Sequence, residues 1–149
     1  MSKVIHNPAL ASVEETGKYS ASFVIEPLQA GYGNTLGNSL RRVLLSSIKG
    51  GAIVAFRIEG VSHEFTTVPG IKEDVVDIML NLKNVRVKVS TDETVELRIE
   101  KKGAGPITAA DIKTSADVEI INTDQIIATI DDPKKSVVFD LVVEAGRGY

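Results

Sequence analysis

The hydrophobic period of this chain changes near residue 50, and period is the strongest constraint that a sequence places on local structure. Before that point Leu36, Leu40, Val43, Leu44 and Ile48 recur at helical spacing. Beyond it strict alternation dominates, as in V-R-V-K-V over 85–89 and V-E-L-R-I over 95–99. A helix-period segment followed by many strand-period segments predicts an α+β fold in two parts. The 149 residues are about one domain's worth of chain, able to bury roughly two-thirds of their unfolded surface.

The first part reads as a strand over 19–28, with Phe23 and Ile25 on one face and Pro27 marking its end. A glycine turn, Gly31-Tyr-Gly33, leads to Asn34 and Thr35 as candidate N-caps. The helix that follows is expected over 36–48, stopped by Lys49-Gly50-Gly51. The second part opens with a strand over 52–59 and continues through Gly60 into Ser62–Phe65. A second helix is expected over 72–82, with Glu73 and Asp74 in its first turn. Strands follow at 85–89, 95–99, 117–121, 125–130 and 136–143, with turns at Gly103–Pro106 and Asp131–Pro133. Both parts look too small or too open to be self-sufficient.

Composition narrows the function classes. Seventeen basic residues against twenty acidic ones give a net charge of −3, which argues against gripping nucleic acid by bulk electrostatics. Seven aromatics without Trp disfavour a base-stacking platform. The absence of Cys removes disulfides, thiolate zinc sites and Cys nucleophiles. No targeting segment or membrane-length apolar run is present, so the expectation is a cytoplasmic protein.

Catalytic chemistry has little to work with. His6 and His63 are far apart, and His63 beside Glu64 on a strand would point to the opposite face. No catalytic, metal or cofactor-binding set emerges, and no cofactor is expected. Gly31, Gly33 and Gly37 follow a strand and precede a helix, the layout of a phosphate cradle. Leu36 stands where the dinucleotide fingerprint needs Gly or Ala, and no Gly-Lys-Ser/Thr ending is present. A tight turn with permissive φ at these glycines is the competing reading. The alternative function, a small nucleotide-binding protein using the Gly31–Gly37 turn, rests on this segment alone.

The two helices are more informative. On the first, Asn38, Arg42 and Leu45 fall within about 60° of one another, away from the apolar stripe. An apolar residue beside an arginine there is an anchor pair for a partner, or a snorkelling Arg beside one stray exposed Leu. On the second, Ile71, Val75, Ile78, Met79 and Leu82 form one stripe, and Val76 and Leu80 lie off it with Lys83 at their edge. Such a helix is buried on two sides, either by another chain or between elements of its own.

The segments GYGNTLGNSLRRVLLSS (31–47), GVSHEF (60–65), KEDVVDIMLNLK (72–83), GAGPITAADI (103–112) and GRGY (146–149) together resemble the N-terminal domain of the bacterial and plastid RNA polymerase alpha subunit. The resemblance covers nearly the whole chain. It implies a non-catalytic scaffold: a subunit of a nucleotidyltransferase, DNA-directed RNA polymerase, with no catalytic residues of its own. Two alpha subunits pair and become the platform on which the beta and beta-prime subunits assemble for transcription. The implied fold is a dimerisation subdomain, a strand plus a long helix, with an inserted strand-rich α/β subdomain. In this numbering residues 1–49 would be the N-terminal part of the dimerisation subdomain and 50–149 an incomplete insert. The family's C-terminal DNA-binding domain is absent, so no direct DNA binding is expected. Implied contacts are Arg42 and Leu45, with Asn38 beside them, for beta, and Lys83 for beta-prime. Leu36, Gly37, Leu40, Val43 and Leu44 match the helix at the dimer interface and core. The implied partners are a second copy, where the truncation permits it, and the beta and beta-prime subunits. The implied location is the cytoplasm, at the nucleoid as part of the polymerase.

Overall fold

The computed structural model describes residues 7–148 and shows a strand-rich α+β chain with two α-helices. It divides into two units, one running through Ser47 and the other spanning Ile48–Gly148.

The first unit is an antiparallel hairpin, β1 (Ala9–Gly17) and β2 (Ser20–Glu26), followed by helix α1 (Tyr32–Ser46). The sequence reading has no counterpart of β1. Only Leu10 and Val13 are large and apolar within it, and its pairing with β2 is irregular at Leu10/Ser12 and Glu15/Gly17, so no clean alternation survives. The helix begins four residues before the expected Leu36. Gly31, at φ 84°, turns the chain in the left-handed region that glycine adopts without strain, and α1 starts directly after it. Asn34 and Thr35 therefore lie inside the helix, and no side chain caps it. No residue of α1 is buried, so the stripe expected to face a core is not covered by the described residues of its unit.

Lys49-Gly50-Gly51 does not stop the helix either. Ser47 is the C-cap, its N–H donating to the Val43 carbonyl at 2.9 Å, and β3 (Lys49–Ile58) begins two residues later. Those residues are strand because Lys49, Gly50 and Gly51 pair with Arg147, Gly146 and Ala145. Gly51 is required here, since a Cβ would stand 3.0 Å from the Val87 carbonyl.

The second unit holds a six-stranded sheet in the order β7-β5-β10-β3-β4-β8, with every pairing antiparallel. Its other strands are β4 (Val87–Val89), β5 (Val95–Lys102), β7 (Ile112–Lys113), β8 (Val118–Ile120) and β10 (Ser136–Arg147). A separate pair joins β6 (Gly105–Thr108) to β9 (Ile126–Ile130). The expected turn at Gly103–Pro106 thus shrinks, because Gly105 and Pro106 pair with Ile130 and Thr129.

Alternation builds the core. Val137, Phe139, Leu141 and Val143 are buried from β10, joined by Leu97 and Ile99 from β5 and Ile58 from β3. Ile107, Ile127, Ala128 and Ile130 close it from the smaller pair. Each such side chain contributes about 1.5–3 kcal/mol by leaving water. No polar or charged residue is buried among the described residues.

Helix α2 (Val75–Lys83) covers this core with Val75, Ile78 and Leu82. Glu73 and Asp74 fall before the helix rather than in its first turn, and each has a distinct task. Asp74 is the N-cap, accepting from the Asp77 N–H at 2.7 Å. Glu73 instead reaches β9 and accepts from the Thr129 N–H at 2.6 Å and the Thr129 hydroxyl at 3.0 Å. The Lys72 N–H donates back to the Thr129 carbonyl at 2.9 Å, so both sides of that residue are held.

Two predictions follow from this core and its surface pairs. Phe139→Ala should lower unfolding free energy by about 3–5 kcal/mol in urea titration, because it empties a fully buried aromatic site. The second concerns acid. The Lys49 ammonium holds the Asp92 carboxyl below its ordinary value, and Lys113 does the same for Glu100. Burial pushes Asp111 upward, but bonds from Lys101 and Thr108 bring it below its ordinary value as well. Depressed carboxylates stabilise the folded state above their unfolded pKa, and that contribution is lost as pH falls through the folded values. The thermal midpoint should therefore drop as pH falls below about 4. An unchanged midpoint between pH 7 and pH 3 would refute this.

Candidate protein-interaction surface

Helix geometry over Tyr32–Ser46 places Asn38, Arg42 and Leu45 on one face, at i, i+4 and i+7. All three are exposed, Leu45 at 63%. Arg42 forms no ion pair among the described residues. Its backbone carbonyl accepts the Ser46 hydroxyl at 2.6 Å, and the Thr35 carbonyl accepts the Ser39 hydroxyl at 3.0 Å. The serines are thereby occupied with the helix backbone, while Asn38, Arg42 and Leu45 are exposed.

The apolar stripe is equally open. Leu40, Val43, Leu44 and Ile48 are exposed, and Leu36 is half-buried. The hairpin adds exposed Leu10, Val13, Phe23 and Val24, of which the sequence reading singled out Phe23 alone. A single exposed leucine is ordinary; the described hairpin and helix of this unit together leave a broad apolar surface exposed.

In the other unit, α2 resolves its two-sided reading. Its core stripe is buried against its own chain, with the Asn81 amide donating to the Ile127 carbonyl at 3.0 Å. On the outward line Val76 is half-buried, Leu80 is 50% exposed and Lys83, in the last turn, is exposed. Lys83 there complements the negative end of the helix dipole, and it forms no ion pair among the described residues.

The glycine segment is not an extended loop. Gly33 and Gly37 sit inside α1, and an added Cβ at Gly37 would meet nothing within 4 Å. Only Gly31 needs its conformational freedom. From Thr35 onward the N–H groups belong to the helix ladder, so the segment is the first turn of an α-helix and not a glycine-rich loop. His63 lies in the loop between β3 and α2 rather than on a strand, so the opposite-face argument against its pairing with Glu64 does not apply. Both are exposed in that loop. His6 and Tyr149 lie outside the described residues. No helix among the described residues is long and apolar enough to cross a membrane.

These surfaces belong to a chain with many relatives. Residues 54–149 match the family described as the RNA polymerase Rpb3/RpoA insert domain. A DNA-directed RNA polymerase subunit alpha of Heliobacterium modesticaldum is 55% identical over 127 residues, covering 85% of this chain and 40% of the relative. That of Desulfitobacterium hafniense is 53% identical over 146 residues, 97% of this chain and 46% of the relative. The subunit from Leifsonia xyli subsp. xyli is 51% identical over 146 residues, 98% of this chain and 43% of the relative. This chain thus spans less than half the length of these relatives. Matched across its second unit by the family and across nearly its whole length by these subunits, the chain belongs to the RNA polymerase alpha-subunit family.

Proposed function

We propose that this chain is a non-catalytic scaffold of DNA-directed RNA polymerase, pairing with a second copy and nucleating assembly of the beta and beta-prime subunits for transcription. The carrying observation is α1, an amphipathic 15-residue helix with no buried residue. A free helix of that length is marginal in water, and its stability comes from covering its apolar face. A second copy on the stripe of Leu36, Gly37, Leu40, Val43 and Leu44 would supply that cover. The line of Asn38, Arg42 and Leu45 then remains for beta, with leucine as the apolar anchor and arginine as its charged margin. Lys83, with Leu80 beside it on α2, is the proposed contact for beta-prime.

Strand pairing supports the finer domain reading. Lys49 at the start of β3 lies opposite Arg147 at the end of β10, so the second unit's entry and exit are neighbours. A unit with adjacent ends can be inserted into another without disturbing it. On this reading residues 1–49 belong to the dimerisation subdomain and 50–149 to the insert. The expected location is the cytoplasm, with the polymerase at the nucleoid.

The first experiment is co-purification of this chain with a bacterial beta subunit, beside its Arg42→Ala variant. The variant should lose about 2 kcal/mol of binding, roughly thirtyfold in affinity, with an unchanged circular dichroism spectrum because Arg42 is exposed. Equal capture of both at matched concentration would remove Arg42 from the beta contact. Lys83→Ala should leave beta capture intact and weaken the later recruitment of beta-prime. Equal loss of both steps would indicate a folding defect instead.

A further inference from the structure

Strand β9 pairs with β6 along one edge, and its other edge is taken up by α2 and the chain leading into it. Thr129 lies opposite Pro106 of β6, and proline has no N–H to give. The backbone of Thr129 bonds the other way: its N–H donates to the Glu73 carboxylate at 2.6 Å, and its carbonyl accepts the Lys72 N–H at 2.9 Å. Two residues on, the Asp131 N–H donates to the Gly70 carbonyl at 3.1 Å. Two residues back, the Ile127 carbonyl accepts the Asn81 amide at 3.0 Å. Positions 127, 129 and 131 share one edge because an extended chain repeats every two residues. Backbone groups at 70–72 satisfy one end of that edge. Where the chain turns into the helix, the side chains of Glu73 and Asn81 take over.

These bonds do something that the apolar stripe cannot. Val75, Ile78 and Leu82 hold α2 to the core by burial, which has no direction and leaves a helix free to roll. Hydrogen bonds weaken steeply off axis, so a helix bonded near both ends has one rotation. Glu73 grips just ahead of the N-cap, with a second bond from the Thr129 hydroxyl at 3.0 Å. Asn81 grips within the last turn. At about 100° per residue, Leu80 lies about 100° from Asn81 and Lys83 about 160°, both on the same side. Turning Asn81 toward β9 therefore turns Leu80 and Lys83 outward, where both are exposed.

We propose that Glu73 and Asn81 are positioning residues for the beta-prime contact, fixing the rotation of α2 through the free edge of β9. Both are half-buried, and their polar groups are spent on Thr129 and Ile127. They act through Lys83 and Leu80 and do not themselves touch the partner. The inference rests on the reading of Lys83 as the beta-prime contact.

The test titrates purified beta-prime onto the complex of a bacterial beta subunit with this chain, parent or variant, and follows thermal unfolding of each chain alone. E73A should capture beta like the parent and recruit beta-prime about tenfold more weakly. E73Q should recruit like the parent, because its amide oxygen accepts from the Thr129 N–H while its NH2 donates to the Thr129 hydroxyl. N81A should repeat the loss seen in E73A, and it decides the matter if E73A fails to fold. I78V loosens the core beneath the same helix but leaves both grips in place. It should recruit like the parent at a lowered thermal midpoint. Parent-like recruitment by E73A and N81A, beside a loss in K83A, would overturn this inference alone. No recruitment by the parent, or parent-like recruitment by K83A, would overturn the reading of Lys83 and this inference with it. A loss in E73Q as large as in E73A would assign the effect to charge, and an equal loss in I78V would assign it to stability. Either result would overturn the positioning role.

Discussion

The antiparallel ladder between β10 and its two neighbours is the constraint on which the second unit depends. One strand of twelve residues pairs with β5 along one edge and β3 along the other. Its alternation sends Val137, Phe139, Leu141 and Val143 into the core and leaves Val138, Asp140 and Val142 on the opposite face. A slip of one residue would exchange those two sets, burying Asp140 and exposing Phe139. The outer face reinforces the same register. Asp140 stands opposite Arg57 on β3 and Arg98 on β5, and it bonds Arg57 at 2.6 Å. These exposed pairs add little energy, but they are lost if the strands shift, so charge and burial specify one alignment.

That ladder also brings the two ends of the second unit together. Pairing β3 with β10 from Ile58 opposite Phe139 to Lys49 opposite Arg147 makes entry and exit a single hydrogen-bonded edge. The core between them is filled entirely by this unit's own residues. The first unit is the reverse case: it has regular backbone structure and no buried residue among those described. The same chain thus holds a unit that covers its own apolar residues and one that leaves them exposed.

The legibility of these features in the sequence followed the range of the interactions behind them. The strands over 95–99 and 136–143 show in their alternation, because burial on one face writes a period of two directly into the residues. The α2 stripe shows for the corresponding helical reason, and the line of Asn38, Arg42 and Leu45 follows from spacing once the helix is recognised. Features that depend on a distant partner do not show. Lys49-Gly50-Gly51 carries the local marks of a helix end, yet it is strand through pairing with residues nearly a hundred positions later. Glu73 carries the local marks of a first-turn acid, yet it is drawn to Thr129 across the core. β1 is strand through its hairpin partner, with too few apolar residues to announce itself.

By itself the sequence determined the α+β class, the periods of its main elements, the order of the family segments and the faces presented by two helices. Those properties depend on neighbours three, four or two residues apart, and local stereochemistry is enough to set them. Tertiary structure alone decided which stripe is covered and which stays open. It also decided where the helix yields to strand and that Glu73 bonds Thr129. Each of those outcomes requires closing a long loop and matching two surfaces, and the free energy that selects among them exists only once both surfaces meet.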